Sequence, residues 1–317
     1  MKILIMGSGA IGSVFGGFLA QAGHEITLVG RKPHMEAIAR HQLKIIGIWG
    51  SHRVPIALAL THPPAPSTHP YDVVFIAVKS YDTYEATQSI LHLIGPKTLL
   101  VSLQNGLNNY ETIASLIEEK KIVLARVIFG TEIVHPGVTN VTVYAEEVQI
   151  GHPKNNVSFE EISEIARLLT QAGIPTHPTR EILKYIWSKV LYNCALNPLS
   201  ALLDCTYGEL LTPFLQKTMK SIISEIYQVA HKKNIQLFQE NAKDYIDELF
   251  RNLIPSTAMH RSSMLQDLKK GKKTEIDALN GAIVKIAQEN SISVPMNETL
   301  TTLIKAKEAL KSKTILQ

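Results

Sequence analysis

A doubly wound α/β sheet followed by an all-α domain is the fold class that this sequence predicts, and three observations predict it. The opening apolar strand, Lys2 to Met6, runs directly into Gly7-Ser8-Gly9-Ala10-Ile11-Gly12 and an apolar helical stretch, Val14 to Ala22. Apolar strand-like runs then alternate with helical stretches as far as His177. Beyond Arg180 the strand signal all but vanishes. Domains usually hold about 100 to 200 residues, so a chain of 317 residues is expected to divide in two, at 1–178 and 179–317.

The order of strand, glycine turn, helix and second strand (Glu25 to Val29) is that of a Rossmann-type dinucleotide-binding unit. Gly7 permits the tight turn, Gly9 lets the backbone approach a pyrophosphate, and Gly12 lets the helix pack close on the strand. With Ser8, Ala10 and Ile11 these glycines form the expected phosphate cradle, where free N–H groups and the helix dipole favour an anion. NAD-specific sites carry an acid about 20 residues after the first glycine, on the ribose 2′-hydroxyl. Here Val29-Gly30-Arg31-Lys32 stands in its place. A carboxylate repels a 2′-phosphate and a guanidinium grips it with a fork of donors, so Arg31, helped by Lys32, points to NADPH. The plainer alternative is a solvated arginine at a strand end.

Tyr71 to Val78 is a near-continuous apolar run, as expected of a parallel strand covered on both faces, and it ends at Lys79. Thr98 to Leu103 is the next, ending in Gln104-Asn105-Gly106-Leu107. Ligands of open α/β sheets bind beyond the carboxyl ends of strands, which makes Lys79 and Asn105 candidate cofactor contacts. Asn105-Gly106 can equally make a simple turn. Ile122 to Glu132, Val138 to Tyr144 and Glu147 to Gly151 read as further strands that extend the sheet with antiparallel partners, and Phe159 to Ala172 as an amphipathic helix before a short strand at Ile174 to His177. Thr61 to Pro70 reads as a surface loop. Its His62 and His69 have no ligand cluster around them in sequence, and no metal is expected.

Composition narrows the class further. Hydrophobic residues make up 45% of the chain and the net charge is +4, ordinary for a globular protein. No apolar run reaches the roughly 18 residues that span a bilayer, and the first strand is too short for a signal peptide, so a cytoplasmic protein without membrane contact is expected. Cys194 and Cys205 alone cannot found a disulfide framework and read as reduced thiols. No basic stretch is interleaved with stacking aromatics, which speaks against nucleic acid. The run from Lys305 to Lys313 reads as a solvated helix face.

The chemistry concentrates in the second half. In Ile186 to Leu199, Lys189, Asn193 and Asn197 recur every four residues and share one helical stripe. Their neighbours are Trp, Val, Leu, Tyr, Cys and Ala; polar groups buried there without partners would cost about 1 to 3 kcal/mol each. A polar cleft is therefore expected along that stripe. Asn197-Pro198 can also end the helix. Reducing a carbonyl with a nicotinamide requires a proton for the forming alkoxide; a partly desolvated lysine can donate it and stabilise the charge, and Lys189 is the candidate. Downstream, Ser263 and Thr274-Glu275-Ile276-Asp277 form a second polar concentration, and the acids there can start a helix.

Together GSGAIG with Arg31, Val78-Lys79, Gln104-Asn105-Gly106, WSKVLYNCALNPLSALL, Gly208-Glu209-Leu210 and SSMLQDLKKGKKTEIDALNG resemble the ketopantoate reductases, or 2-dehydropantoate 2-reductases, over nearly the whole chain. The resemblance implies a helical domain like the C-terminal domain of 6-phosphogluconate dehydrogenase. It implies Lys189 as the catalytic lysine and Glu275 as the glutamate that arranges substrate and lysine. Asn193, Asn197 and Ser263 match substrate-binding positions, while Lys79 and Asn105 match cofactor-side positions. Tyr207 departs from the pattern, since some members carry there an asparagine that touches substrate. The implied reaction is NADPH-dependent reduction of ketopantoate to (R)-pantoate, a step towards pantothenate and coenzyme A, by a monomer or a homodimer. A relative of the β-hydroxyacid dehydrogenases acting on another 2-keto or hydroxy acid, and a non-catalytic NADPH sensor, are the alternatives.

Overall fold

The computed structural model describes residues 1–66 and 69–314, and they form two compact units. The first comprises Met1–Gln104 and Asn109–Ile182; the second comprises Asn105–Asn108 and the chain from Leu183 onward. Positions 67 and 68 of the loop before Pro70 lie outside the described residues.

Strands β1 (Lys2–Met6), β2 (Glu25–Val29), β3 (Leu43–Gly47), β4 (His52–Val54), β5 (Leu58–Leu60), β6 (Val73–Ile76), β7 (Leu99–Ser102), β8 (Ile122–Arg126), β9 (Phe129–His135), β10 (Val138–Tyr144), β11 (Val148–Gly151) and β12 (Thr176–Pro178) belong to the first unit. So do helices α1 (Ala10–Gln21), α2 (Lys32–His41), α3 (Thr83–Ser89), α4 (Asn109–Ala114) and α5 (Phe159–Gln171). Eight strands form the main sheet in the order β12-β11-β8-β7-β6-β1-β2-β5. From β1 the chain winds one way through β2 and β5 and the other way through β6, β7 and β8, with parallel pairing throughout that stretch. The carboxyl end of β1, where the winding reverses, is the place such sheets reserve for a ligand. Helix α5 starts with a reciprocal capping box between Ser158 and Glu161.

Two of the strands read from sequence do not extend this sheet. The run Ile122 to Glu132 divides after Arg126, and β9 pairs with β10 in a separate four-stranded sheet, β4-β3-β10-β9. Only β11 joins the main sheet antiparallel, beside β8. The reason lies in α1, which is apolar on two sides. A Cβ on Gly16 would lie 2.5 Å from Leu28 of the main sheet, and one on Gly17 would lie 2.5 Å from Ile45 of the small sheet. Phe18 extends the second contact, edge-on to Trp49 with ring centroids 5.6 Å apart. The small sheet buries the face of α1 that the main sheet leaves uncovered.

His34 ties these layers together. Its Nδ1 accepts from the Gly137 amide at 2.9 Å, at the β9–β10 turn, which leaves Nε2–H to donate to Ser13 Oγ, 2.9 Å away in α1. Burial holds its pKa below the ordinary value of 6.5.

The second unit is helical. It contains α6 (Ile182–Leu203, whose first residue falls in the first unit), α7 (Pro213–Lys232), α8 (Ala242–Glu248), α9 (Ile254–Ser256), α10 (Ser263–Lys269), α11 (Asn280–Glu289) and α12 (Pro295–Thr314). Helix α6 does not stop at Pro198 but continues five residues further, to Leu203. Proline lacks the N–H that would bond to the Cys194 carbonyl, and its ring crowds that carbonyl. Asn280, the first residue of α11, fills the deficit by donating to Cys194 O at 3.2 Å. The same amide donates to Asn297 Oδ1 at 3.0 Å, and Asn297 donates to Glu225 Oε2 at 2.7 Å. The Glu225 carboxylate then receives the Met296 and Asn297 amides at 2.9 and 3.0 Å, and so caps the start of α12.

Two other expectations are corrected here. Ile276 does not begin a helix: Ile276–Ala278 is a single 3-10 turn, Leu279 breaks it with ψ −107°, and α11 begins at Asn280. The C-terminal lysines are not simply a solvated face. Lys307 Nζ donates to Ala201 O and Leu202 O at 2.8 and 3.0 Å, at the carboxyl end of α6 where a cation is favoured, and Lys305 pairs with Asp277. Side chains from residue 311 onward lie outside the described residues. Among the described residues no helix is long and apolar enough to cross a membrane.

Asn280→Ala should destabilise the protein by about 2 kcal/mol, because two buried groups lose a partner. In a Pro198→Ala background the cost should be smaller, since the restored N–H reaches Cys194 O; a double-mutant cycle in urea that shows equal costs would dissociate Asn280 from the proline. Because the folded-state pKa of His34 is depressed, the unfolded chain takes up that proton first as pH falls. Stability should thus decline from about pH 6.5 downward. His34→Leu should shrink the difference in melting temperature between about pH 7.5 and about pH 5.5, with His152, depressed by burial as well, keeping a remainder.

Candidate active site

Helix α6 brings Lys189, Asn193 and Asn197 onto one edge, with Val190, Leu191, Cys194 and Ala195 turned into the helical core. Asn197 is buried, whereas Lys189 and Asn193 are half-buried. A small, partly open cavity lies beside this edge, lined by Asn105, Asn193, Asn197, Ser263, Met264, Asp267, Glu275 and Leu279. Lys189 Nζ donates to the side-chain oxygen of Asn105 at 2.5 Å, which places the ammonium at a residue of that lining.

Each of these side chains has a local reason for its place. The Asn105-Gly106 turn is more than a chain reversal. Gly106 takes φ +83°, and a Cβ there would collide with the carbonyl of Ala278; the next amide, Leu107 N, donates to that carbonyl at 2.8 Å. This anchors Asn105 beside the 3-10 turn that follows Glu275. Glu275, which the resemblance implies as the glutamate that arranges substrate and lysine and which could also have started a helix, is 8% exposed and lines the cavity. The segment carrying it is pinned by the Thr274 amide, which donates to Glu308 at 2.6 Å. Ser263 is set by its neighbour: Ser262 is the N-cap of α10, accepting from Leu265 N at 3.0 Å while donating to the Asn197 carbonyl at 3.3 Å. One turn further along α10, Asp267 also lines the cavity. Sequence reading missed it, although its i+4 spacing from Ser263 was the available signal.

Tyr207 was read as a departure from a substrate contact, and its place is now defined. The residue does not line the cavity; its hydroxyl donates to Asn197 Oδ1 at 2.7 Å. Burial pushes the phenol well above its ordinary pKa of 10, with Tyr192 adding to the shift. The Cys194 thiol is likewise pushed upward by burial, so it is a core group and no nucleophile.

Chemically, this cavity offers amide and hydroxyl donors, two carboxylates and one ammonium within reach of a small oxygen-rich molecule.

In the first unit the glycine turn has the form a dinucleotide pyrophosphate requires. Gly7 adopts φ +101°, and the Gly7 and Ser8 amides are committed to Val29 O at 3.0 and 2.8 Å. Ser8 is buried within the turn. The amides left for an anion are thus those of the first turn of α1: Ala10, Ile11 and Gly12 have no intrahelical acceptor. Helix α1 has no side-chain cap and no acid in its first turn, and a Cβ at Gly9 would meet nothing within 4 Å. These features fit a bound diphosphate. Arg31 is exposed at the start of α2, directly after β2 and Gly30, and its carbonyl accepts the His34 and Met35 amides. Lys32 makes a 3.9 Å pair with Glu36. Lys79 is half-buried, three residues past β6, and its carbonyl accepts the Asp82 amide at 2.8 Å. Gln104, beside Asn105, braces these strand ends by donating to Val78 O at 3.0 Å and Thr83 Oγ1 at 2.7 Å.

Comparison with known proteins finds relatives for both halves of the chain. Residues 3–155 match the family model of ketopantoate reductase PanE/ApbA, and residues 181–308 match that of its C-terminal region. A 2-dehydropantoate 2-reductase of Aquifex aeolicus is 42% identical over 315 residues, covering 99% of each chain. Among solved structures, a PanE/ApbA family ketopantoate reductase from Ralstonia eutropha JMP134 is 30% identical with a TM-score of 0.85, covering 98% of this chain and 100% of its own. A D-mandelate dehydrogenase bound to NADH and anilino(oxo)acetate is 26% identical with a TM-score of 0.89, covering 98% and 99%. By its family models and its full-length relatives, the chain belongs to the ketopantoate reductase family.

Proposed function

We propose that this protein is a cytoplasmic, NADPH-dependent 2-dehydropantoate 2-reductase, with the first unit holding the dinucleotide and the second holding and protonating the substrate. The observation that carries the proposal is the Lys189 ammonium donating to Asn105 on a cavity that Asn193, Asn197, Ser263 and Glu275 also line. The amides of Ala10, Ile11 and Gly12 would hold the pyrophosphate and Arg31 the 2′-phosphate, with Lys79 as a further cofactor-side cation. The chemistry that the dinucleotide supplies when bound is a hydride for the keto carbon.

Everything else falls to side chains of this chain. Lys189 gives a proton to the keto oxygen as negative charge gathers there, and its positive charge stabilises that oxygen before the transfer. Asn105, as acceptor, aims the ammonium along one of its N–H bonds. Asn193, Asn197 and Ser263 hold the carboxylate and hydroxyl oxygens of the substrate. Glu275, buried at the cavity wall, orients substrate and lysine together. The lining joins amides, a hydroxyl and carboxylates to the apolar side chains of Met264 and Leu279, a mixture that suits a hydroxy keto acid with a branched carbon.

The test is NADPH oxidation with ketopantoate, followed by absorbance; no turnover on ketopantoate, with turnover on another 2-keto acid, would reassign the substrate. Lys189→Ala should lower kcat by about 10² to 10⁴ while the NADPH dissociation constant stays within about twofold. An equal loss of cofactor binding would remove Lys189 from the chemistry. Arg31→Ala should raise the KM for NADPH by about tenfold or more and leave that for NADH unchanged. Parallel loss for both cofactors would count against a 2′-phosphate contact.

A further inference from the structure

An asparagine amide presents either a carbonyl or an NH2 to whatever it faces, and turning it over reverses its meaning for a ligand. At Asn197 the choice is forced from behind. Tyr207, 2% exposed, stands 2.7 Å from Asn197 Oδ1, and Asn197 is itself 4% exposed. A phenol that stays protonated in a dry site must hand its proton to an acceptor or forgo about 1 to 3 kcal/mol. Were the Asn197 amide turned over, its NH2 would face the phenol and the phenolic proton would lose that acceptor. The oxygen is therefore directed at Tyr207, and the NH2 remains for the cavity.

The tyrosine is held firmly enough to impose this. Its amide donates to His260 O at 3.0 Å, its ring meets Tyr192 edge-on with centroids 5.7 Å apart, and the His260 ring lies 5.1 Å from it on a tilt. Tyr192 is in turn anchored by its hydroxyl, 2.6 Å from Thr257 Oγ1. The direction of the Asn197 amide also has a consequence in this cavity, because Asp267 and Glu275 already line it. A third group presenting oxygen lone pairs would repel a substrate carboxylate, whereas an NH2 group receives it.

We propose that Tyr207 is a positioning residue that acts through Asn197, committing the Asn197 amide as a donor to a substrate oxygen. The inference rests on the reductase reading only for the identity of that substrate. In steady-state assays Tyr207→Phe should raise the KM for ketopantoate about five- to tenfold, the worth of one neutral hydrogen bond, with kcat and the NADPH dissociation constant within about twofold of wild type. In an Asn197→Ala background the same change should add nothing to KM. An unchanged KM, or a rise that persists in full without Asn197, overturns the proposal, since a purely structural tyrosine would act independently of the amide.

A second measurement needs neither variant nor substrate. In proton NMR of the unmutated protein, the Tyr207 hydroxyl proton should exchange slowly and show a nuclear Overhauser contact to the Asn197 side chain; its absence would also overturn the proposal. Failure of the wild type to oxidise NADPH with ketopantoate would instead remove the reductase reading, and the NMR result would decide the role of Tyr207 by itself.

Discussion

Proline at position 198 deprives the Cys194 carbonyl of its helical donor, and the route by which that carbonyl is satisfied determines where α7, α11 and α12 start or pack. A helix interrupted in this way would ordinarily end or kink. Here α6 runs on because Asn280 reaches the stranded carbonyl, Asn297 fixes Asn280, and Glu225 fixes Asn297 together with the first turn of α12. All three side chains are buried, so none can turn to water for a substitute. The stripe that carries Lys189, Asn193 and Asn197 is the polar edge of the helix so held. The precision of the site thus rests on a polar chain that runs behind it, through residues that never touch a ligand.

The same economy appears around the cavity. Asn105 is located by the fit between Gly106 and Ala278, Ser263 by the cap that Ser262 makes, and Asn197 by a phenol outside the lining. In each case a neighbour one or two positions away, or one layer out, spends its hydrogen bonds on orientation. None of those neighbours lines the cavity itself.

How much of this could be read beforehand follows from the range of the interactions. The glycine turn, the apolar strands β6 and β7 and the stripe on α6 are local patterns, and they appear in sequence because their physics acts within a few residues. The small sheet was invisible. Its strands β3 and β4 are short and mixed in polarity, and β10 finds its parallel partner in β3 across nearly a hundred positions, with Val138 beside Lys44. Pro198 left two readings open for the same reason: the local rule says stop, and the side chain that overrides it lies in α11, 86 positions from the carbonyl it serves. Glu275 and Asp277 looked like a helix start because acids at a first turn usually are one; a broken backbone at Leu279 instead left one acid to the cavity and the other to Lys305.

The membership of Asn105–Asn108 in the helical unit has a bearing on inheritance. The lysine of α6 meets its acceptor across 84 positions of chain, most of which build the other unit. A gene fragment beginning at Leu183 would carry the helices but not Asn105. The helical unit is therefore not a module that recombination can lift out and join to a different nucleotide-binding partner at a single seam.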